Sequence, residues 1–146
     1  MASFVKFYSF VEHLAEKVHD LQNDALRIML SNTAPSQSAV QKSELVEIGS
    51  TSNGYSAGGS PALANRSSQQ VAGLYTLNAD DVIFTQSGAN AMGPFRYVIL
   101  YNDTPTTPVA DPLIGYWDYG ASGVTLAGSS GETFTVDFTT GVLTIQ

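Results

Sequence analysis

The stretch GPFRYVILYNDTP, residues 93–105, holds more aromatic and β-branched residues than any other part of this chain. Successive side chains of a β-strand alternate between its two faces. One face would carry Phe95, Tyr97, Ile99 and Tyr101, and the other Arg96, Val98, Leu100 and Asn102. Apolar residues on both faces are typical of a central strand that is covered on each side. The stretch therefore predicts the centre of a sheet rather than the wall of a binding site.

Arg96 is the one charged residue in this predicted strand. A buried charge without a partner is costly, so we expect either a carboxylate beside it or a position at an exposed end. Asp118 and Asp137 follow or lie within neighbouring predicted strands and are the best candidates. The sequence thus predicts a structural ion pair between Arg96 and one of these two aspartates.

Seven short runs that begin at about residue 69 are typical of β-strands, and each is bounded by turn-forming residues. They are QVAGLYTL, DVIFTQS, FRYVILYN, LIGYWDYG, GVTLAG, ETFTVDF and GVLTIQ. Their spacing is that of a sandwich or barrel. The segment DFTTGVLTI, residues 137–145, predicts a terminal hairpin. The predicted fold is α+β but mainly β: an antiparallel, jelly-roll-like β-sandwich over about residues 69–146, with one N-terminal amphipathic helix.

The N-terminal segment predicts that helix over about residues 3–22. Apolar residues recur there at steps of three and four: Phe4, Phe7, Val11, Leu14, Val18 and Leu21. Ser9 and the glutamate three residues later have the spacing of a capping box, so a helix that begins at Ser9 after an aromatic lead-in remains an alternative. The next segment, ALRIMLSN (residues 25–32), alternates apolar and polar residues and predicts a half-buried strand.

Two further segments complete the predicted single domain of residues 1–146. KSELVEIG, residues 42–49, fits either a helical turn or a short strand. Residues 49–68 are rich in Gly, Ser, Asn and Pro and contain few apolar residues. A loop of that length is usually functional or mobile.

The composition limits the function classes. Charged residues make up 13% of the chain, against about 25% in a typical soluble protein, so we expect a partner to cover part of this weakly charged surface. The net charge is −7, which disfavours binding to nucleic acid. The N-terminus does not resemble a signal peptide, and no apolar run has the length of a membrane span. There is no cysteine, which excludes a thiol nucleophile and a thiolate metal site.

The sequence offers no convincing chemistry. His13 and His19 are six residues apart, whereas two ligands on one helical face need a spacing of three or four. A surface metal shared with Glu16 and Asp20 is a weak alternative, and we interpret both histidines as part of a solvated polar face. No GxSxG motif is present, and GYSAGG lacks the lysine of a phosphate-binding loop. We expect no catalytic residue, no cofactor and no metal, and hence a protein that is not an enzyme.

The most distinctive local cluster is GYWDYG, residues 115–120. Tyr116, Trp117 and Tyr119 surround Asp118, and aromatic rings beside a carboxylate suit a protein interface or the stacking of a sugar. In a strand, Tyr116 and Asp118 lie on one face and Trp117 and Tyr119 on the other. One aromatic pair is therefore expected in the core, and both core packing and an interface remain open.

Several strings together resemble a family of small virion proteins of tailed bacteriophages: KFYSFVEHLAEKVHDL, LSNTAP, GYSAGG, GPFRYVILYNDTP and PLIGYWDYG. The resemblance implies a capsid decoration, or cement, protein that binds the outer surface of the assembled head. It implies the major capsid protein and further copies of this chain, as a trimer, as partners. It also implies a place on the virion capsid after synthesis in the cytoplasm of a bacterial host. From the acidic charge and the lack of a basic amphipathic segment we expect no nucleic-acid or membrane partner.

For such a protein we expect the contact surfaces to include the aromatic N-terminus, the long loop and the GYWDYG cluster. The candidate interface residues are Phe4, Phe7, Tyr8, Tyr55, Tyr116, Trp117 and Tyr119. Two alternatives remain: a β-rich tail or receptor-binding module of a phage, and a carbohydrate-binding module that uses the same aromatic cluster.

Overall fold

The computed structural model describes residues 2–146. The protein is mainly β, with one α-helix, α1, at Tyr8–Ala15 and a short 3-10 helix at Lys42–Glu44. The strands are β1 Phe4–Lys6, β2 Leu26–Ser31, β3 Ser67–Val71, β4 Leu74–Asn78, β5 Val82–Thr85, β6 Met92–Phe95, β7 Tyr97–Asn102, β8 Leu113–Asp118, β9 Val124–Leu126, β10 Thr133–Val136 and β11 Leu143–Ile145. Among these residues, no helix has the length and apolar character needed to cross a bilayer.

Each pair of neighbouring strands in the described chain is antiparallel. The largest sheet has four strands in the order β1-β8-β7-β2, and a second sheet has the order β11-β4-β3. Two smaller pairs, β10-β5 and β6-β9, complete the set. The mainly β, antiparallel character predicted from the sequence is confirmed, while the sandwich arrangement stays a prediction.

The strand β7 is the buried centre that the opening stretch predicted. It lies between β8 and β2 in the four-stranded sheet, and all six of its residues are buried. On one face, Val98 and Leu100 join a large core with side chains of the other sheets, such as Leu77 and Phe84. On the other face, β7 contributes to a smaller core: Phe7, Met29, Ala39, Tyr97, Ile99, Tyr101 and Leu113. Both faces of the four-stranded sheet are thus covered.

The prediction that Phe95 shares a face with Tyr97 is wrong. The strand is interrupted at Arg96, and the preceding strand β6 pairs with β9 instead of continuing into β7. Phe95 therefore belongs to the large core, where its ring lies 4.9 Å from that of Phe134, whereas Tyr97 belongs to the smaller core. The alternation of side chains holds only within an unbroken strand, and the interruption resets it.

The N-terminal helix is shorter than the predicted range of 3–22. Phe4–Lys6 forms β1 and pairs with β8, which brings the ring of Phe4 to 5.0 Å from that of Trp117. The helix begins close to the alternative start, but the N-cap residue is Phe7 and no side chain caps the helix. It ends before Lys17, whose φ is 61°. The apolar spacing was correct in marking buried residues on both sides of α1, but it did not distinguish a helix from a strand and a loop.

Three strand predictions are also corrected. The strand β2 is buried on both faces rather than half-buried, because the smaller core covers its second face. QVAGLYTL is not one strand but part of the β3–β4 hairpin, whose turn residues Ala72 and Gly73 both have positive φ. The predicted terminal hairpin is absent, because β10 pairs with β5 and β11 pairs with β4.

The long polar segment is not a free loop. Its last two predicted residues already belong to β3, and the preceding part runs along the outer edge of β2. Backbone N–H groups donate from Ile48 to Leu30 O (3.0 Å), from Ser60 to Ile28 O (2.8 Å) and from Leu63 to Leu26 O (2.8 Å). Gly59 approaches this strand so closely that a Cβ atom would lie 1.9 Å from the carbonyl oxygen of Ile28. The segment therefore serves as a cover for the edge of β2.

Candidate functional site

The predicted ion pair forms between Arg96 and Asp118. Nε and Nη2 of Arg96 donate to the two carboxylate oxygens of Asp118, at 2.7 Å each, in a bidentate pair. The backbone N–H of Gly120 donates to the same carboxylate at 2.9 Å. These hydrogen bonds, and above all those of Arg96, lower the pKa of Asp118 to about 2. The pair ties the interruption between β6 and β7 to the end of β8.

Asp137, the second predicted partner of Arg96, is not part of this pair. Its carboxylate accepts hydrogen bonds from the backbone N–H and the hydroxyl of Thr139, which lower the pKa of Asp137. This is the short-range turn geometry common for aspartate. The strand before it, β10, pairs with β5 rather than with β8, so Asp137 does not lie across from Arg96.

The residues of GYWDYG divide between the two faces of β8 as the sequence predicted. The ring of Tyr116 packs against that of Phe7 at 5.4 Å, on the side of the smaller core. The ring of Trp117 lies 6.0 Å from that of Phe138, on the side of the large core. Tyr119 remains exposed and contacts Phe134 with its ring. Tyr116 and Trp117 are therefore packed mainly against the two cores, and Tyr119 has the aromatic ring of this cluster that is most exposed to solvent.

A groove with a volume of about 640 Å³ lies beside this cluster. Its walls include two aromatic side chains from the end of β8, Trp117 and Tyr119, and the carboxylates of Asp118 and Asp137. Hydroxyl groups are supplied by Thr135, Thr139 and Thr140. Aromatic faces beside polar oxygens suit a sugar ring or a short polar segment of another protein. Asp118 and Asp137 both line the groove, although they are not paired with the same arginine.

The exposed face of α1, formed by Tyr8, Val11, Glu12 and Ala15, is a second candidate surface. Tyr8 is 67% exposed and Val11 is 53% exposed, and residues three apart on a helix are neighbours. The sequence pointed to Tyr8 as a candidate interface residue, and Tyr8 is exposed. The apolar stripe expected to face the core included Val11, which is also exposed. The core instead receives Phe10, which is not a member of that stripe.

Two of the seven candidate interface residues are core residues. Phe7 is fully buried in the smaller core. Tyr55 is buried in the large core, where its hydroxyl donates to Glu47 Oε1 at 2.6 Å and accepts from the backbone N–H of Leu30 at 3.1 Å. Burial and the bond to Glu47 raise the pKa of Tyr55. Neither side chain is available to a partner, because both are buried.

The polar-face interpretation is wrong for His19, which is only 5% exposed. Its Nδ1 lies 3.2 Å from Asn102 Nδ2, and its ring packs 5.8 Å from that of His13. Burial, and then the proximity of His13, lower the pKa of His19 to about 4, although Asp24 acts in the opposite direction. No group of three or more side chains suited to a metal ion occurs in residues 2–146. The spacing of the two histidines gave no sign of this contact, since His19 lies beyond the helix.

Comparisons of the chain with models of protein families, with curated proteins and with solved structures found no match.

Proposed function

We propose that this protein is a capsid decoration protein of a tailed bacteriophage, which binds the outer surface of the assembled head and stabilises it against disassembly. The proposal starts from the sequence resemblance described above. The observation that carries it further is the exposed face of α1, where Tyr8 and Val11 present apolar surface to solvent.

The exposed face of α1 has the properties expected of an interface. Large apolar side chains that lie together on a surface favour contact with a partner, and tyrosine is enriched among residues that dominate binding. Two contacts hold the helix against the rest of the protein. The side chain of its own residue Phe10 is buried in the large core, and the backbone N–H of Tyr8 donates to Gln37 O at 3.0 Å. A rigid surface loses little conformational entropy when it binds.

The arrangement fits a stabilising role through mass action. A protein that binds the assembled head and not its dissociated subunits shifts the equilibrium towards the head. Several copies that also contact one another, as in the proposed trimer, would link neighbouring capsid subunits and increase this effect through avidity. The core shared by the four-stranded sheet and the smaller sheets supports the proposed sandwich-like body.

The test uses heads of the parent phage that lack this protein. We expect the purified protein to co-sediment with such heads and to raise the temperature at which they release DNA. Tyr8→Ser together with Val11→Ser should weaken binding by about tenfold or more, because two interface side chains are lost. Val71→Ser together with Ile83→Ser is the matched control, since these residues are 64% and 61% exposed and lie in β3 and β5. Equal binding by both double variants would refute the role of α1, and labelling of the tail instead of the head would refute the decoration role.

The groove beside GYWDYG favours a second candidate function, the binding of carbohydrate. Tyr119 is exposed there beside the carboxylates of Asp118 and Asp137. A glycan array should then give hits that Tyr119→Ala abolishes and Tyr8→Ala leaves unchanged. An array without hits, or hits that persist in Tyr119→Ala, would eliminate this candidate.

A further inference from the structure

The sheet β11-β4-β3 ends in an open edge at β3. Among residues 2–146 this strand pairs with β4 alone, and all five of its residues are exposed. An open strand edge is a template on which another strand can pair, and proteins usually block it with a charge, a proline or a bulge. The edge strand β1 carries Lys6, and the edge of β2 is covered by the polar segment. β3 has none of these devices: SSQQV contains no charge and no proline, and its register with β4 is regular.

The free backbone groups of this edge belong to Ser68 and Gln70. In an antiparallel pair of strands, residue pairs that exchange hydrogen bonds alternate with pairs that do not. The residues on either side of the two-residue turn form a bonded pair, so Ser68 and Leu77 form a pair without hydrogen bonds. The carbonyl oxygen of Leu77 agrees with this, because it accepts from the backbone N–H of Val142 on the other side of β4, at 2.7 Å. The N–H and C=O groups of Ser68 and Gln70 therefore point away from β4.

The distribution of charge favours a second copy of this chain as the strand that pairs with β3. Two copies repel each other over most orientations, because each has a net charge of −7. No strand of the sheet β11-β4-β3 contains a charged residue, whereas the four-stranded sheet carries Lys6, Arg27 and Asp118. Two copies can therefore join these sheets without bringing like charges into contact. A strongly basic or acidic partner would find no opposite charge on these strands.

The strand β3 is also complementary to itself. When two copies of β3 are antiparallel and overlap fully, Ser68 of one copy lies opposite Gln70 of the other. Both residues have outward backbone groups, so each of these pairs can exchange N–H···O bonds. Gln69 then lies opposite Gln69 of the other copy, and its amide has both a donor and an acceptor with which to bond an identical amide. This register uses every free backbone group of the strand.

We propose that two copies of this protein associate through β3 into a dimer with two-fold symmetry. The two β11-β4-β3 sheets then form one continuous sheet across the interface, and the same surface of each copy contacts the other. The contact uses neither α1 nor the groove beside GYWDYG. It therefore does not depend on the proposed decoration role, and it leaves those surfaces free.

Analytical ultracentrifugation of the full chain measures this association. We expect a concentration-dependent species with twice the chain mass of 15.5 kDa. Gln70→Pro should weaken the dimer by about tenfold or more, because each copy loses one N–H donor to the other. Proline is tolerated where the N–H of an edge strand faces solvent, so the variant should keep the circular dichroism spectrum of the unmodified protein. A chain that stays monomeric at every concentration, or an oligomer that Gln70→Pro leaves unchanged, would overturn the proposal.

Gln69 allows a test that leaves the backbone unchanged. Gln69→Glu and Gln69→Lys should each weaken the dimer by about threefold or more, because like charges then lie directly opposite each other. An equimolar mixture of the two variants should dimerise again, because opposite charges then meet. Ile83→Glu is the matched control, since Ile83 is 61% exposed in β5, and it should dimerise like the unmodified chain. A mixture that dimerises no better than either variant alone would overturn the proposed register.

The chain contains no cysteine, so one introduced cysteine reports the register directly. Opposite residues in a pair without hydrogen bonds have Cα atoms about 4.5 Å apart, which is within the range of a disulfide. Gln69→Cys should therefore form a disulfide-linked dimer under mild oxidation. Ser67→Cys lies on the same face but would place the two cysteines about 14 Å apart, so it should not cross-link. Equal cross-linking by both variants would overturn the register, and its absence from both would overturn the dimer.

Discussion

Acidification is expected to destabilise this protein through His19. The pKa of this residue falls from its ordinary value of 6.5 to about 4 in the folded protein, chiefly because the ring is buried. The unfolded chain therefore binds a proton more readily than the folded one, and folding stability decreases as the pH falls from 6.5 towards 4. At pH 7.5 and above the histidine is almost entirely neutral in both states, and its contribution no longer changes with pH.

The size of the effect follows from the two pKa values. A difference of one pKa unit corresponds to about 1.4 kcal/mol, so the full difference amounts to about 3 kcal/mol. The expected loss relative to pH 7.5 is about 1.4 kcal/mol at pH 5.5 and about 2.5 kcal/mol at pH 4.5. Such a loss is a large part of the 5–15 kcal/mol by which domains are usually stable. Two titratable groups lie near the ring: His13 lowers the pKa of His19, and Asp24 raises it.

Urea denaturation at pH 7.5, 6.5, 5.5 and 4.5, followed by tryptophan fluorescence of Trp117, measures this dependence. The variant His19→Gln keeps a polar side chain but does not titrate, so the difference between the two pH profiles isolates the contribution of His19. We expect the variant to be less stable than the unmodified protein at pH 7.5 and to lose less stability on acidification. Parallel profiles of the two proteins over this range would refute the reasoning, since they would show that His19 titrates alike in the folded and unfolded states.

Three further outcomes are expected. Gly59→Ala should destabilise the protein by about 2–3 kcal/mol or more, because the added Cβ would collide with the carbonyl oxygen of Ile28 at a residue with φ of +85°; an unchanged midpoint in urea would contradict this. Tyr55→Phe should cost about 1–3 kcal/mol, because the backbone N–H of Leu30 loses its acceptor in the core; thermal unfolding within one degree of the unmodified protein would exclude it. Asp118 should titrate with a midpoint at about pH 2 in ¹³C NMR of its carboxyl carbon, and a midpoint near 4 would show that the bidentate pair does not form in solution.

The central strand and its ion pair were predictable because both depend on local pattern. Apolar residues on both faces identified β7 as a covered strand. The cost of a buried charge pointed to a carboxylate near Arg96, although the side chain of Arg96 is 33% exposed and lies at the interruption before β7. The choice between Asp118 and Asp137 was not predictable, because it depends on whether β8 or β10 lies beside β7. Strand order is a property of the whole chain, and no local signal in residues 113–137 determines it.

The errors at the N-terminus have a similar origin. Phe4 and Phe7 fit a helical period, but Phe4 lies in β1 because a partner strand, β8, offers its backbone there. The hairpin turn at Ala72 and Gly73 lacks the Asn-Gly or Asp-Gly signal that usually marks a two-residue turn. At β1, long-range pairing overrides a weak local preference, whereas the β3–β4 hairpin pairs adjacent strands through a turn that lacks the usual signal.

The candidate surfaces were predictable only in part. Aromatic character drew attention to Tyr8 and Tyr119, which are exposed, and equally to Phe7 and Tyr55, which are buried. Composition does not separate these cases, because exposure depends on which loop covers each ring.

The cover along the outer edge of β2 has a consequence for solubility. The strand sequence LRIMLS is apolar, and an unpaired edge with that sequence is a template on which other chains can add strands and grow into fibrils. Main-chain bonds from Ile48, Ser60 and Leu63 already occupy the positions that an incoming chain would need. The protein can therefore reach a high local concentration without pairing with other copies through the edge of β2. We expect deletion of residues 49–63 to expose this edge and to cause aggregation.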